Sequence, residues 1–308
     1  MDSFVECGGA FPVVRCLSGR GSKSHLIKQR STVCLMRCAV TIESSSDAEA
    51  DVVIRDIDER GVARITINRP HVHNAWNPQV VVALTDAVES VSAMPQVRAV
   101  VLTGEGKSFS AGGDLRWMRG ILDQSSEQRR EDASRIGKLL VAIDSSPKPV
   151  IARVNGAAIG GGFGLVCACD IAVACNEAVF GLSEVRLGII PAMISPFVVR
   201  RLGEAQARAH FLTGHDPMPA QKALDAGLVH HVVGRGDLDA AVEAELRAVL
   251  RSSPTAIAET KRLFRRTGAR GLDAAIEDAT SALVGTWESG DAREGLTAFL
   301  EKRSPSWH

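Results

Sequence analysis

Val154-Asn155-Gly156-Ala157-Ala158-Ile159-Gly160-Gly161-Gly162-Phe163-Gly164-Leu165 is the stretch that organises the rest of this chain. A β-branched apolar run, Pro149 to Val154, leads into it, and a long run free of proline, Phe163 to Ala178, follows. Three successive glycines between a strand and a helix leave bare main-chain N–H groups at a helix N-terminus, a place that stabilises negative charge. No Gly-Lys-Ser/Thr follows, so the turn is not a phosphate-cradling P-loop, and the GxGxxG dinucleotide spacing is absent. Two readings stand on these residues alone: an amide-lined site for an oxyanion, or a glycine turn that permits close packing.

A second stretch bears on the choice. Gly104-Glu105-Gly106-Lys107-Ser108-Phe109-Ser110-Ala111-Gly112-Gly113-Asp114-Leu115 also follows an apolar strand, Ala99-Val100-Val101-Leu102, and also opens a helix. Two such turns at strand ends can each aim one N–H at a single oxygen. That is the arrangement acyl chemistry needs when a carbonyl becomes an enolate or a tetrahedral anion.

Together with three further stretches, these turns make the chain resemble the crotonase superfamily, the enoyl-CoA hydratases and isomerases. The motifs are Ile67-Asn68-Arg69-Pro70 with His73-Asn74-Ala75, Phe109 to Asp114, Asn155-Gly156 with Gly160-Gly161-Gly162, Cys169-Asp170-Ile171-Ala172, and Ser183-Glu184-Val185-Arg186-Leu187-Gly188-Ile189-Ile190-Pro191. The resemblance runs from about Val52 to the C-terminus. It implies an α/β fold, a spiral of ββα units followed by a C-terminal helical region often used for trimer contacts. It also implies an acyl-CoA thioester substrate, with coenzyme A as part of the substrate and no separate cofactor. Phe163 to Ile171, Ile189 to Val199 and Asp114 to Met118 look most like the bacterial methylglutaconyl-CoA and isohexenylglutaconyl-CoA hydratases, whose substrates carry a distal carboxylate.

Site residues follow from both lines of reasoning. Glu184 sits among apolar neighbours, which disposes a carboxyl towards a raised pKa and general acid/base work; the plainer reading is a glutamate paired with Arg186 or a distant cation. The resemblance makes Glu184 the catalytic acid/base and assigns the oxyanion donors to the N–H groups of Ala111 and Gly161. Loss of one such donor costs about 3–4 kcal/mol in the transition state. Many hydratases carry a second glutamate two residues after the last glycine of the triple turn; here that position is Gly164. Glu184 must then serve alone, either adding water or moving a proton between two carbons as an isomerase; the remaining alternative is an acyl-CoA-binding relative without catalysis, against which Glu184 argues. A carboxylate on the substrate is expected to hold water where Gly164 leaves space, with Arg116, Arg119 or Arg200 as the cation facing it. CoA contacts are implied for Val72, Asn74, Ala75, Ser110, Gly112, Gly113 and Asp114, and further substrate contacts for Gly160 and Gly164. Phe299 and Lys302 near the C-terminus are implied contacts too, sometimes from a neighbouring subunit; Lys302 reads equally as a solvated helix lysine.

Composition bounds the remaining possibilities. The chain has 308 residues, 45% hydrophobic and 23% charged, as in ordinary globular proteins. Lys+Arg and Asp+Glu are both 36, so no charge excess points to nucleic acid or an anionic membrane, and no apolar run approaches bilayer length. The seven cysteines have no second pair at zinc-site spacing. Cys167 and Cys169 read as buried free thiols, and a reducing, cytoplasmic setting is expected. No HExxH spacing or His/carboxylate cluster suggests a metal, and no Gly-x-Ser-x-Gly elbow suggests serine hydrolysis.

The chain divides into three parts. Residues 1–50 are basic and then Ser-rich, and read as a disordered extension or an upstream start, with a transit peptide as the alternative. Residues 51–250 carry strands alternating with helices, which argues for parallel pairing and β–α repeats. Val52–Ile54 and Val62–Ile67 read as an antiparallel pair. Asn77 caps a helix over 79–94 with Pro78 at its first position, 126–145 is an amphipathic helix with Ile136, Leu139, Leu140 and Ile143 on one face, and the glycine turn opens a helix over 163–169. After Pro191 the pattern is mainly helical, with 251–308 as the C-terminal region for CoA and oligomer contacts in a trimer or hexamer.

Overall fold

The computed structural model describes residues 51–214, 217–267 and 271–307; the extension expected over residues 1–50 lies outside them. The chain begins with β1 (Val53–Ile57) and β2 (Val62–Ile67), paired antiparallel as the alternation predicts. Helix α1 (Pro78–Ala93) starts where Asn77 accepts a bond from the Val80 N–H, a cap worth about 1 kcal/mol. Strand β3 (Ala99–Gly104) is buried along its whole length, so it reads as a continuous apolar run rather than an alternating one. Helix α2 (Leu115–Ile121) is capped by Asp114. Helix α3 (Ser126–Ser145) opens on a capping box between Ser125 and Gln128 and buries Leu139, Leu140 and Ile143.

The organising stretch follows. Strand β4 (Val150–Val154) leads into the two-residue β5 (Ala158–Ile159), and α4 (Gly161–Ala168) starts within the triple glycine. Strands β6 (Ile171–Cys175) and β7 (Val179–Gly181) come next. Beyond the turn that holds Glu184 lie α5 (Ser195–Thr213), β8 (Met218–Pro219), α6 (Ala220–Asp225), β9 (His231–Val233) and α7 (Leu238–Leu250). Helices α8 (Pro254–Thr267), α9 (Leu272–Trp287) and α10 (Gly290–Leu300) form the C-terminal helical region.

The strands form two sheets. The larger runs β1-β2-β3-β4-β6-β9 and is parallel after its first pair; the smaller runs β5-β7-β8. The buried core includes Ile65, Ile67, Leu84, Leu102, Phe109, Ile151, Phe163 and Phe180, among others. The region after Pro191, mainly helical as expected, also holds two short strands. His231–Val233 is the edge strand beside Val173–Cys175, and the His230 N–H and Nδ1 pair with the Ala172 carbonyl and N–H. Three residues are too few to show a period, so only the neighbouring strand defines this one. Among the described residues no helix is long and apolar enough to cross a membrane.

Candidate active site

Strands β3 and β4 are hydrogen-bonded neighbours, so the two glycine turns emerge side by side. Asn155 locks them together, its Nδ2 donating to the carbonyls of Gly104 and Gly106 (both 2.9 Å). Asn74 Nδ2 donates to those of Glu105 (2.9 Å) and Ser108 (2.7 Å) from the other side. Gly156 has no room for a side chain, because a Cβ there would lie 1.9 Å from the Lys107 carbonyl oxygen. A parallel bridge between Ser110 and Ala158, made by Ser110 N to Ala157 O and Ile159 N to Ser110 O (2.9 Å each), fixes the register. Counting three residues on from each bridge partner reaches Gly113 and Gly161. The turns touch: a Cβ on Gly112 (φ +84°) would lie 2.8 Å from the Ile159 carbonyl and 3.4 Å from the Gly161 nitrogen.

Hydrogen-bond accounting then identifies the free amides. Gly161 is the first residue of α4, where an N–H has no intrahelical acceptor. On the other turn, the Ala111 N–H is already given to the His73 carbonyl at 2.9 Å, which corrects the reading of Ala111 as an oxyanion donor. The Gly112 N–H reaches Ser110 Oγ at 3.3 Å. Gly113 N–H is left without an acceptor among the described residues, and Gly113 and Gly161 line one cavity of about 360 Å³ together with Glu184. The sequence spacing of the two turns is compatible with either residue; the bridge register decides between them.

Glu184 follows β7 at the start of a short 3-10 turn and is half-buried. Its Oε2 is buried without a hydrogen-bond partner, and burial pushes its carboxyl above the ordinary glutamate range, against the opposing pull of the main-chain N–H groups of Glu184 and Ser183. Gly160 makes room for it. A Cβ at 160 would stand 3.0 Å from Glu184 Oε1, and φ of +53° there already favours glycine. The glutamate therefore stands beside the residue that precedes the free Gly161 amide.

Apart from Ser183 the rest of the wall is largely apolar: Trp117, Met118, Ile121, Ile136, Leu187, Ile189, Ile190, Met193 and Ile194 line it, and no Arg, Lys or His does among the described residues. Wall residues Trp76 and Trp117 each keep a buried Nε1–H without an acceptor. The cavity thus offers neutral donors and one carboxylate. Two sequence expectations fail here. Gly164 leaves no space, since a Cβ there would lie 2.2 Å from Ile194 Cγ2; the Ile194 side chain occupies the place. Arg116 and Arg119 are exposed on α2 outside the lining, and Arg200 pairs with Asp144 on a different face. The first miss has a clear cause: the Ile190–Ile194 segment folds back over α3 and α4, a contact 30 residues away from Gly164 in sequence. Met193 repeats the pattern, seated where a Cβ on Gly137 of α3 would meet its Cε at 2.8 Å.

The side chains of several residues implied as CoA contacts also hold the turns together. Asn74 is fully buried and also accepts the Arg69 N–H; Ser110 is fully buried, its hydroxyl donating to the Asn74 carbonyl at 2.9 Å. Ala75 is buried, and Val72, in a 3-10 turn, is half-buried. Asp114 holds Arg69 and caps α2. Phe299 and Lys302 are exposed and do not line this cavity within one chain. Among the described residues no group of three or more His, Cys, Asp or Glu is arranged to hold a metal ion.

Comparison with known proteins gives the family. Residues 58–308 match the family described as Enoyl-CoA hydratase/isomerase. A putative enoyl-CoA hydratase of Thermus thermophilus is 35% identical over 249 residues, covering 81% of this chain and 98% of the relative. The crotonyl-CoA hydratase of Syntrophomonas wolfei is 34% identical over 251 residues, covering 81% of this chain and 95% of the relative. A crystal structure of an enoyl-CoA hydratase from Shewanella pealeana superposes with a TM-score of 0.80 at 37% identity, covering 83% of this chain and 96% of that one. The fold expected from the sequence, a crotonase-like α/β core with C-terminal helices, is therefore the observed one. The chain belongs to the enoyl-CoA hydratase/isomerase family.

Proposed function

We propose that this protein is an enoyl-CoA hydratase that adds water across the 2,3 double bond of an acyl-CoA with an uncharged, apolar acyl chain. The thioester oxygen lies between the N–H groups of Gly113 and Gly161. Glu184 takes a proton from water as the water oxygen bonds to C3. The C2=C3 electrons move towards the thioester oxygen, giving an enolate held by the two amides. Glu184 then returns the proton to C2, so the net change is OH at C3 and H at C2. The observation that carries this reading is a half-buried carboxylate with an unpartnered oxygen, next to Gly160 and in the same cavity as two unspent amides.

Within the branched-or-carboxylated substrate range implied by the sequence resemblance, the wall supports the branched aliphatic half. A distal carboxylate desolvated against Ile136, Met193 and Ile194 without a cation would cost several kcal/mol. Glu184→Gln is the first test: a 10²–10⁴-fold loss of turnover is expected, read as slower disappearance of the conjugated enoyl-thioester absorbance. Normal turnover by the folded variant would end the assignment. Crotonyl-CoA and branched aliphatic enoyl-CoAs should be used well ahead of 3-methylglutaconyl-CoA, and equal efficiency would remove the substrate reading.

One observation favours a second activity. Ile194 fills the place next to Gly164, so a lone carboxylate serves both carbons, which also suits 1,3-proton transfer by an isomerase. Appearance of the conjugated chromophore from a 3-enoyl-CoA would reveal it. Helices α8 to α10 expose Phe264, Leu272, Trp287, Phe299 and Leu300, a set of large apolar side chains of the kind an interface covers. It suits association with further copies, as a trimer or hexamer, and sedimentation of the purified protein tests this.

A further inference from the structure

We propose that the buried ion pair Arg69–Asp114 is a positioning device that holds the Gly113 amide in register with Gly161; this rests on the function proposed above. Both side chains are close to nine-tenths buried, with 10% and 13% of their surface exposed. Arg69 Nη1 alone makes two bonds, to the Ala75 carbonyl at 2.7 Å and to Asp114 Oδ2 at 3.1 Å. The other carboxylate oxygen, Oδ1, accepts the Arg116 N–H at 2.9 Å and so caps α2. One nitrogen therefore ties the loop before Trp76 to the residue after Gly113.

Trp76 closes the ring. Its N–H donates to the Gly112 carbonyl at 2.6 Å, and its carbonyl accepts the Asp114 N–H at 2.7 Å. These two bonds straddle Gly113, whose own N–H remains unspent. The indole of the same tryptophan lies against the second turn, for a Cβ on Gly161 would meet its six-membered ring at 2.7 to 2.9 Å. Arg69, Asp114 and Trp76 thus bear on both amides without offering either of them an acceptor.

A buried ion pair is weak evidence for stability, since apolar replacements of similar volume are often neutral or stabilising. Its directional bonds instead fix where a backbone segment lies. Displacing one amide should weaken a bond that matters most when the oxygen carries full charge, so the loss should fall on kcat rather than KM.

The test compares Arg69→Met, Arg69→Lys and Asp114→Asn with wild type, each checked for folding by circular dichroism. Two quantities are measured: kcat and KM for a 2-enoyl-CoA, and the fraction of bound acetoacetyl-CoA present as enolate, read from its ultraviolet absorbance. Arg69→Met should lower kcat roughly 10²-fold, the scale on which misplacement by about 1 Å acts, with KM changed less than about threefold and the enolate fraction reduced in step. Arg69→Lys should recover most of both, because one ammonium can make the two bonds that one guanidinium nitrogen now makes. Asp114→Asn keeps the helix cap but loses the charge, and should fall between them. If Arg69→Met does not fold, Asp114→Asn against Arg69→Lys carries the same comparison. Unchanged kcat and enolate fraction in the folded variants, or a rise in KM alone, would overturn the proposal. A wild type that neither turns over enoyl-CoA nor enolises the ketoacyl thioester would instead refute the underlying function.

Discussion

Gly164→Ala is the substitution whose consequences can be worked furthest. The added Cβ would lie 2.2 Å from Ile194 Cγ2 and 2.8 Å from Ile194 Cβ. Carbon atoms prefer about 3.5–4.0 Å, so the isoleucine must retreat by about 1.3 Å or the helix must move. Overpacking of this kind costs about 1–3 kcal/mol, offset by up to about 1 kcal/mol from the better helix propensity of alanine. Trimming Ile194 to alanine removes the 2.2 Å contact and leaves the 2.8 Å one. The cost of Gly164→Ala should therefore drop by at least about 1 kcal/mol in an Ile194→Ala background, although Ile194→Ala itself costs about 2–5 kcal/mol. Urea unfolding of the four proteins of this cycle measures the coupling. Equal costs of Gly164→Ala in both backgrounds, within about 0.5 kcal/mol, would show that Ile194 does not fill the notch. The same cycle reports on the acyl site, because Ile194 lines it: Gly164→Ala should penalise branched enoyl-CoAs more than crotonyl-CoA, and Ile194→Ala should reverse that order.

Four further predictions concern the glutamate, its neighbour and the thiols. Burial raises the Glu184 carboxyl, so the acid limb of kcat should lie above an ordinary glutamate value of about 4.3, with activity lost as pH falls through it; a limb at the ordinary value would contradict the burial. In stability the sign is opposite: the cost of ionising Glu184 is absent where folded and unfolded states are both protonated, and complete above the raised folded pKa. Glu184→Gln should thus melt higher than wild type near neutral pH, with the gap closing in acid; a lower melting temperature at neutral pH would refute this. Gly160→Ala places a left-handed φ of +53° on a residue with a Cβ 3.0 Å from Glu184 Oε1. A stability loss of about 1–3 kcal/mol should accompany a fall in kcat, and an unaffected kcat would show that the glutamate tolerates displacement. Burial pushes the Cys167 thiol up to about 12 and raises Cys169 as well. Neither should react with a thiol reagent until the protein unfolds, and rapid native labelling of either would contradict their burial.

Local sequence was enough for much of this molecule. The antiparallel opening pair, the Asn77-capped helix, the amphipathic helix over 126–145 and the strand–glycine–helix unit each depend on neighbours within a few residues, where period, cap and turn chemistry act directly. Its apolar setting made Glu184 a candidate, but the resemblance, not the residues alone, chose it over a plain ion pair. Three features needed the tertiary fold. Which amide is free on the first turn depends on His73, 38 positions before Ala111, taking one N–H, and on the Ser110–Ala158 bridge setting the register. Whether Gly164 leaves a gap depends on Ile194 returning from the far side of the β7 turn. Whether a cation faces the acyl chain depends on where α2 and α5 point, which no residue type encodes. A sequence records which groups are available for hydrogen bonds and packing; only the folded chain, by bringing distant segments within a few ångströms, decides which of them are already used.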